Sequence, residues 1–167
     1  MTVTSIRKDP EALTMTITTE LDATVERAWQ LWADPRQLER WWGPPTFPAT
    51  VVDHDLAKGG RVTYFMTGPD GNKSRGWWEV LAAEPPYRLE LKDGFADDSG
   101  APNDTMPTMT AVVTLTQREG GGTLMAIQTQ FSSLEAMEQL MSMGLEEGTA
   151  AALAQIDEIL AEDLTSL

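Results

Sequence analysis

Between Leu13 and Leu21 every second residue is apolar or neutral (Leu13, Met15, Ile17, Thr19, Leu21), with Thr14, Thr16 and Thr18 between them. A period of two marks a strand with one buried face. The spacing then changes. Val25, Ala28, Trp29 and Trp32 recur at intervals of three and four and predict a helix over about residues 24–33. Asp34-Pro35-Arg36-Gln37 restarts a short second helix, with Asp34 as cap, Pro35 at the first helical position and Gln37 completing a capping box. Gly43-Pro44-Pro45 ends it.

Alternation returns after the proline run. Short strands are predicted over Thr50–Asp53, Arg61–Thr67, Gly76–Ala83, Tyr87–Lys92, Thr108–Thr116 and Thr123–Phe131. Parity assigns inward faces to Val62, Tyr64 and Met66, to Trp78 and Val80, to Leu89 and Leu91, and to Met109, Ala111, Val113 and Leu115. Gly68-Pro69-Asp70-Gly71, Glu84-Pro85-Pro86 and Gly120-Gly121-Gly122 are the turns. Asp93–Thr105, rich in Gly, Pro, Asn and Asp, reads as a long surface loop. Ser132-Ser133-Leu134-Glu135 reads as a capping box for a long final helix. Its apolar stripe runs through Leu134, Met137, Met141, Leu145, Gly148, Ala152, Ile156 and Ile159. A one-faced antiparallel sheet needs a cover, and this helix supplies it, so the fold class is α+β.

The chain has 167 residues, the size of one domain with a core of its own. It carries 26 acids against 12 bases, a net charge of −14. Nine acids and no base lie beyond Arg118, so the C-terminal third contributes −9 of that charge. Such a surface repels nucleic acids and anionic membranes. It reads as a solubilising face or as a docking face for a basic partner. No apolar run is long enough to span a bilayer and no signal-peptide pattern opens the chain, so a cytoplasmic location without membrane insertion is expected. With no cysteine and a single histidine, His54, thiol chemistry and a histidine metal cluster are excluded.

His54, between two aspartates, reads as a surface residue, with acid–base chemistry as the alternative. Asp97-Asp98-Ser99-Gly100 lacks EF-hand spacing. No phosphate loop, dinucleotide fingerprint or nucleophile elbow is present. No catalytic residue, metal or cofactor is assigned. Two features point to a cavity. Gly144 and Gly148 sit on the inward helix stripe, each costing about 1 kcal/mol relative to alanine. They allow either a close approach of helix to sheet or space for a ligand, and the adaptable side chains of Met137, Met141 and Met143 stand nearby. Met143 lies off the stripe. Six tryptophans fall in three pairs; Trp78 is expected inward, and Trp77 on the outer face or in an interface, which leaves a homodimer open.

Thr24-Val25-Glu26-Arg27-Ala28-Trp29, Ala33-Asp34-Pro35 and Arg40-Trp41-Trp42-Gly43-Pro44-Pro45, followed by Lys58-Gly59-Gly60-Arg61 and Gly68-Pro69-Asp70-Gly71, resemble the SRPBCC (START-like) superfamily. Within it they are most similar to the group related to the C-terminal domain of the heat-shock-protein-90 ATPase activator. The resemblance covers about residues 12–162 of a single domain. It implies a helix-grip fold: a curved antiparallel sheet of about six to seven strands around a long C-terminal helix, two short helices after the first strand, and a cavity between sheet and helix. The loop Asp93–Thr105 is this sequence's own elaboration, expected near the cavity mouth.

Three functions follow as expectations, since one scaffold hosts many. The first is binding of a hydrophobic or aromatic small molecule, lipid- or polyketide-like, without catalysis. Its cavity would be lined by Trp42, Tyr64, Met66, Trp78 and Met109 from the sheet side. Met137, Met141, Gly144, Leu145 and Gly148 would close it from the helix. The second is a chaperone-related interaction module, active in stress response. The third is a cyclase or hydrolase on a polyketide-like substrate, which needs a histidine or carboxylate inside the cavity.

Overall fold

The computed structural model describes residues 3–165. Eight strands form one antiparallel sheet: β1 (Val3–Asp9), β2 (Thr14–Leu21), β3 (Ala49–His54), β4 (Arg61–Thr67), β5 (Lys73–Glu84), β6 (Arg88–Ala96), β7 (Met109–Gln117) and β8 (Thr123–Phe131). Their order across the sheet is β1-β2-β8-β7-β6-β5-β4-β3. Helices α1 (Val25–Ala33) and α2 (Pro35–Trp41) carry the chain from β2 to the opposite edge at β3. The C-terminal helical arm runs as α3 (Leu134–Ser142), α4 (Leu145–Leu153) and α5 (Ile156–Thr165). This is the α+β helix-grip arrangement.

The parities hold. Val62, Trp78, Val80, Leu89, Leu91, Val113 and Leu115 are all buried. Asp34 caps α2 by accepting from the Arg36 backbone N–H at 2.9 Å, and the Gln37 side chain reaches back to it at 3.2 Å. Thr24 caps α1 in the same way. At α3 the cap is Ser133, accepting from the Ala136 N–H, one residue later than the Ser132-to-Glu135 box.

Three features depart from the sequence reading. An eighth strand, β1, precedes the expected first one and pairs with β2 at the sheet edge. Its Arg7 and Lys8 hide it from a hydrophobic pattern, and such charges protect an edge from further pairing. Strand β6 runs on to Ala96, so Asp93 belongs to the sheet and not to a loop. Gly94 is tolerated there because the Trp77 ring lies across it, at a separation that would place an added Cβ 2.5 Å from the indole. An aromatic side chain covering a cross-strand glycine restores the packing that glycine lacks. The Trp77 indole N–H donates to the Phe95 carbonyl at 3.0 Å and the residue is only 9% exposed. Trp77 therefore spends its surface within its own sheet.

The final helix is also not continuous. Gly144 adopts φ +88°, a left-handed conformation that costs glycine little, and turns the chain between α3 and α4. A second interruption falls at Ala154-Gln155. There the Gln155 amide donates to the Gly43 carbonyl at 2.7 Å, fastening the arm to the end of α2. Gly43 itself has no room for a side chain, since a Cβ would meet the Phe47 carbonyl oxygen at 2.2 Å. The Trp-Trp-Gly-Pro word is thus a packing requirement where α2, the following loop and the helical arm meet.

Candidate functional site

Between the sheet and α4 lies a cavity of about 320 Å³. Strand β4 contributes Tyr64 and Met66, and β6 contributes Leu91, Asp93 and Phe95. Met109, Ala111 and Val113 come from β7, Ile127 and Thr129 from β8. Trp32, Trp41 and Trp42 form the wall from α1 and α2. The helical arm closes it with Leu140, Met143, Gly144, Leu145, Gly148, Thr149 and Ala152. At the rim, Phe47 is 42% and Met143 53% exposed, which locates the mouth beside the α3–α4 break.

Of the residues expected in the cavity, Trp42, Tyr64, Met66, Met109, Gly144, Leu145 and Gly148 line it. Trp78 stands one layer behind, fully buried, with its ring 4.8 Å from that of Trp42. Met137 is buried in the core and Met141 packs against it, both away from the cavity. Met143 takes their place at the rim: it caps α3 three positions after cavity-lining Leu140, where the arm turns at Gly144. The two glycines have separate reasons. Gly144 serves the turn, whereas an added Cβ at Gly148 meets no atom within 4 Å, so its missing side chain is open space. The loop beyond Ala96 adds nothing to the lining; Asp97 folds it locally by accepting from Ser99 and Ala101.

Asp93 continues the inward parity of Leu89 and Leu91, and that parity was the signal available to find it. In register it faces Trp78 on β5 and Met109 on β7. The Tyr64 hydroxyl donates to Asp93 Oδ1 at 3.3 Å. Burial pushes the Asp93 carboxyl up to about 7 from its usual 3.8, against the hydrogen bonds from Tyr64 and the Gly94 backbone, which favour the carboxylate. Burial, and then the neighbouring Asp93 charge, raise Tyr64 well above 10. The indole N–H groups of Trp42 and Trp78 favour the ionised Tyr64 oxygen, yet neither reaches a partner with hydrogen-bond geometry.

Tyr64 owes its place to Gly76, its cross-strand partner on β5. A Cβ at Gly76 would lie 2.4 Å from the phenol ring. Gly76→Ala is therefore expected to cost about 1–3 kcal/mol and to displace the ring from Asp93. Urea unfolding measures this, and an unchanged midpoint contradicts it. His54 stands outside the cavity; its Nε2–H donates to the Trp32 carbonyl at 2.9 Å and ties β3 to α1. Among the described residues no group of three or more acidic or histidine side chains is placed to hold a metal ion. Nor is any helix long and apolar enough to cross a membrane.

Residues 22–161 match the family described as activator of Hsp90 ATPase homolog 1-like protein, AHSA1. The crystal structure of protein Ms6760 from Mycobacterium smegmatis is 51% identical, covering 95% of this chain and 96% of that one, with a TM-score of 0.87. A solution structure of a protein from Arthrobacter aurescens is also 51% identical, covering 96% and 93%, with a TM-score of 0.92. CalU16 from Micromonospora echinospora shares the fold alone, at 21% identity over 97% and 86% of the two chains and a TM-score of 0.57. No curated protein matches the chain. With the family match spanning most of the domain and the sheet, helical arm and intervening cavity all present, the chain belongs to the AHSA1 family of the SRPBCC superfamily.

Proposed function

We propose that the protein binds a hydrophobic or aromatic small molecule in the cavity between the sheet and α4. The observation that carries this reading is the open space over Gly148, inside a space of about 320 Å³ walled by tryptophan, methionine and aliphatic side chains. A volume of that size and lining is typical of small-molecule sites, and burial of apolar surface supplies the affinity. Native mass spectrometry of freshly purified protein tests it. A stoichiometric adduct, identified after release by denaturation, is expected. A bare mass together with no uptake of a hydrophobic fluorescent probe counts against it.

Asp93 favours a second reading, in which the cavity performs acid–base chemistry on a polyketide-like substrate. A carboxyl poised near neutrality, oriented by a tyrosine, is suited to proton transfer. Recovery of the adduct chemically unchanged after prolonged incubation would exclude turnover. The family's name raises a third role, activation of a chaperone through the acidic helices. Three acids of that surface already pair within the fold, Glu146 with Lys8, Glu162 with Arg40 and Asp163 with Arg27, which weakens it as a docking face.

A further inference from the structure

Asp93 is an anion site without a cation. Among the described residues that line the cavity there is no lysine, arginine or histidine. Toward Asp93 face Tyr64 from β4, Trp78 from β5, Met109 from β7 and, around the ring of Tyr64, Trp42 from the end of α2. The arm presents Leu145, Gly148 and Thr149 across the cavity. Only Tyr64 titrates in this set, and burial keeps it a neutral phenol below pH 10. An ionised carboxylate offers about four acceptor positions. The Tyr64 hydroxyl occupies one, which leaves acceptor capacity for a donor arriving in the cavity. Carboxylates are tolerated in apolar surroundings when a counter-ion accompanies them. Here none of the described lining residues provides one.

We propose that the ligand is an amine on an apolar body, its ammonium seated on Asp93 and flanked by the rings of Tyr64 and Trp42. This rests on the ligand-binding reading above and names the chemical class of the ligand. An ammonium supplies the missing counter-charge and donates to the free acceptor positions, while electron-rich ring faces add cation–π attraction. A neutral alcohol gains one hydrogen bond and leaves the charge unbalanced. A carboxylic acid in its ionised form meets like charge. The volume corresponds to roughly ten water-sized heavy atoms, the size of a short alkyl or phenylalkyl amine. The net charge of −14 also concentrates cations around the protein.

Phenylbutylamine, phenylbutanol and phenylbutyrate share one body and differ in their polar head, and titration calorimetry at pH 8 compares them directly. The amine is expected to bind at least about tenfold more tightly than the alcohol, and the carboxylate more weakly than either. Amine affinity should rise about tenfold per pH unit below the Asp93 pKa of about 7 and level off above it, while alcohol affinity shows no such rise. Asp93→Asn should remove the amine advantage, so that the amine binds no more tightly than the alcohol to the same variant. Tyr64→Phe, which takes a stabilising hydrogen bond from the carboxylate, should move the midpoint to higher pH. Alcohol binding equal to or tighter than amine binding, or an amine advantage surviving Asp93→Asn, overturns the proposal and leaves the cavity reading intact. Failure of all three compounds overturns both.

Discussion

Replacing Gly148 with leucine is expected to abolish small-molecule binding while the protein stays folded. The position lies within α4, and nothing stands within 4 Å of where its Cβ would be. Four added carbons, each displacing roughly a water's share of about 30 Å³, take up over a third of the cavity. The loss of affinity should exceed about a hundredfold, because a ligand of the present size no longer fits. Stability should hold or rise by up to about 1 kcal/mol, since leucine is the better helix former. Probe binding and thermal melting on the same sample separate the two effects. Binding at wild-type strength would place the ligand site elsewhere. Gly144→Leu does not make the same test. At φ +88° any larger side chain is strained by about 1–2 kcal/mol, so a loss of binding there reports on the α3–α4 turn.

Removing the Asp93 charge should stabilise the fold increasingly as pH rises above about 4, and in full from pH 7 upward. The carboxyl titrates at about 7 in the folded protein against 3.8 as a model value. Folding therefore raises its proton affinity. Below pH 3.8 the group is neutral in both states and costs nothing. Between 3.8 and 7 the unfolded chain ionises first, so stability falls as pH rises, and the full cost applies above 7. At 1.36 kcal/mol per pH unit, that cost reaches about 4 kcal/mol. Asp93→Asn keeps the shape without the charge. It should match the wild type near pH 4 and exceed it at pH 8 by up to that amount. For a chain of this size each kcal/mol moves the melting temperature by about 2–4 °C. A variant that melts below the wild type at pH 8 would show that the carboxylate is satisfied where it stands. A destabilising carboxyl retained in a mostly apolar cavity supports the binding reading proposed above.

The sheet was legible from period-two alternation because one face is buried along nearly its whole length. Register reverses every side chain if it slips by one, so parity alone assigned Tyr64, Trp78, Leu91 and Met109 inward. The caps at Thr24 and Asp34 were equally local, a side-chain oxygen meeting a backbone N–H two or three residues away. What the tertiary structure alone decided is long-range. Gly94 sits in a strand because Trp77, seventeen positions earlier, covers it. Asp93 remains in β6, facing a cavity where its desolvation is set by Tyr64, Met109 and α4 together. A helical wheel cannot report the turn at Gly144, so it preferred Met137 and Met141 to Met143. Local pattern fixes which face of each element is apolar. Whether that face meets another side chain or an empty space is a property of three or more elements at once, and at Gly148 the face meets the cavity.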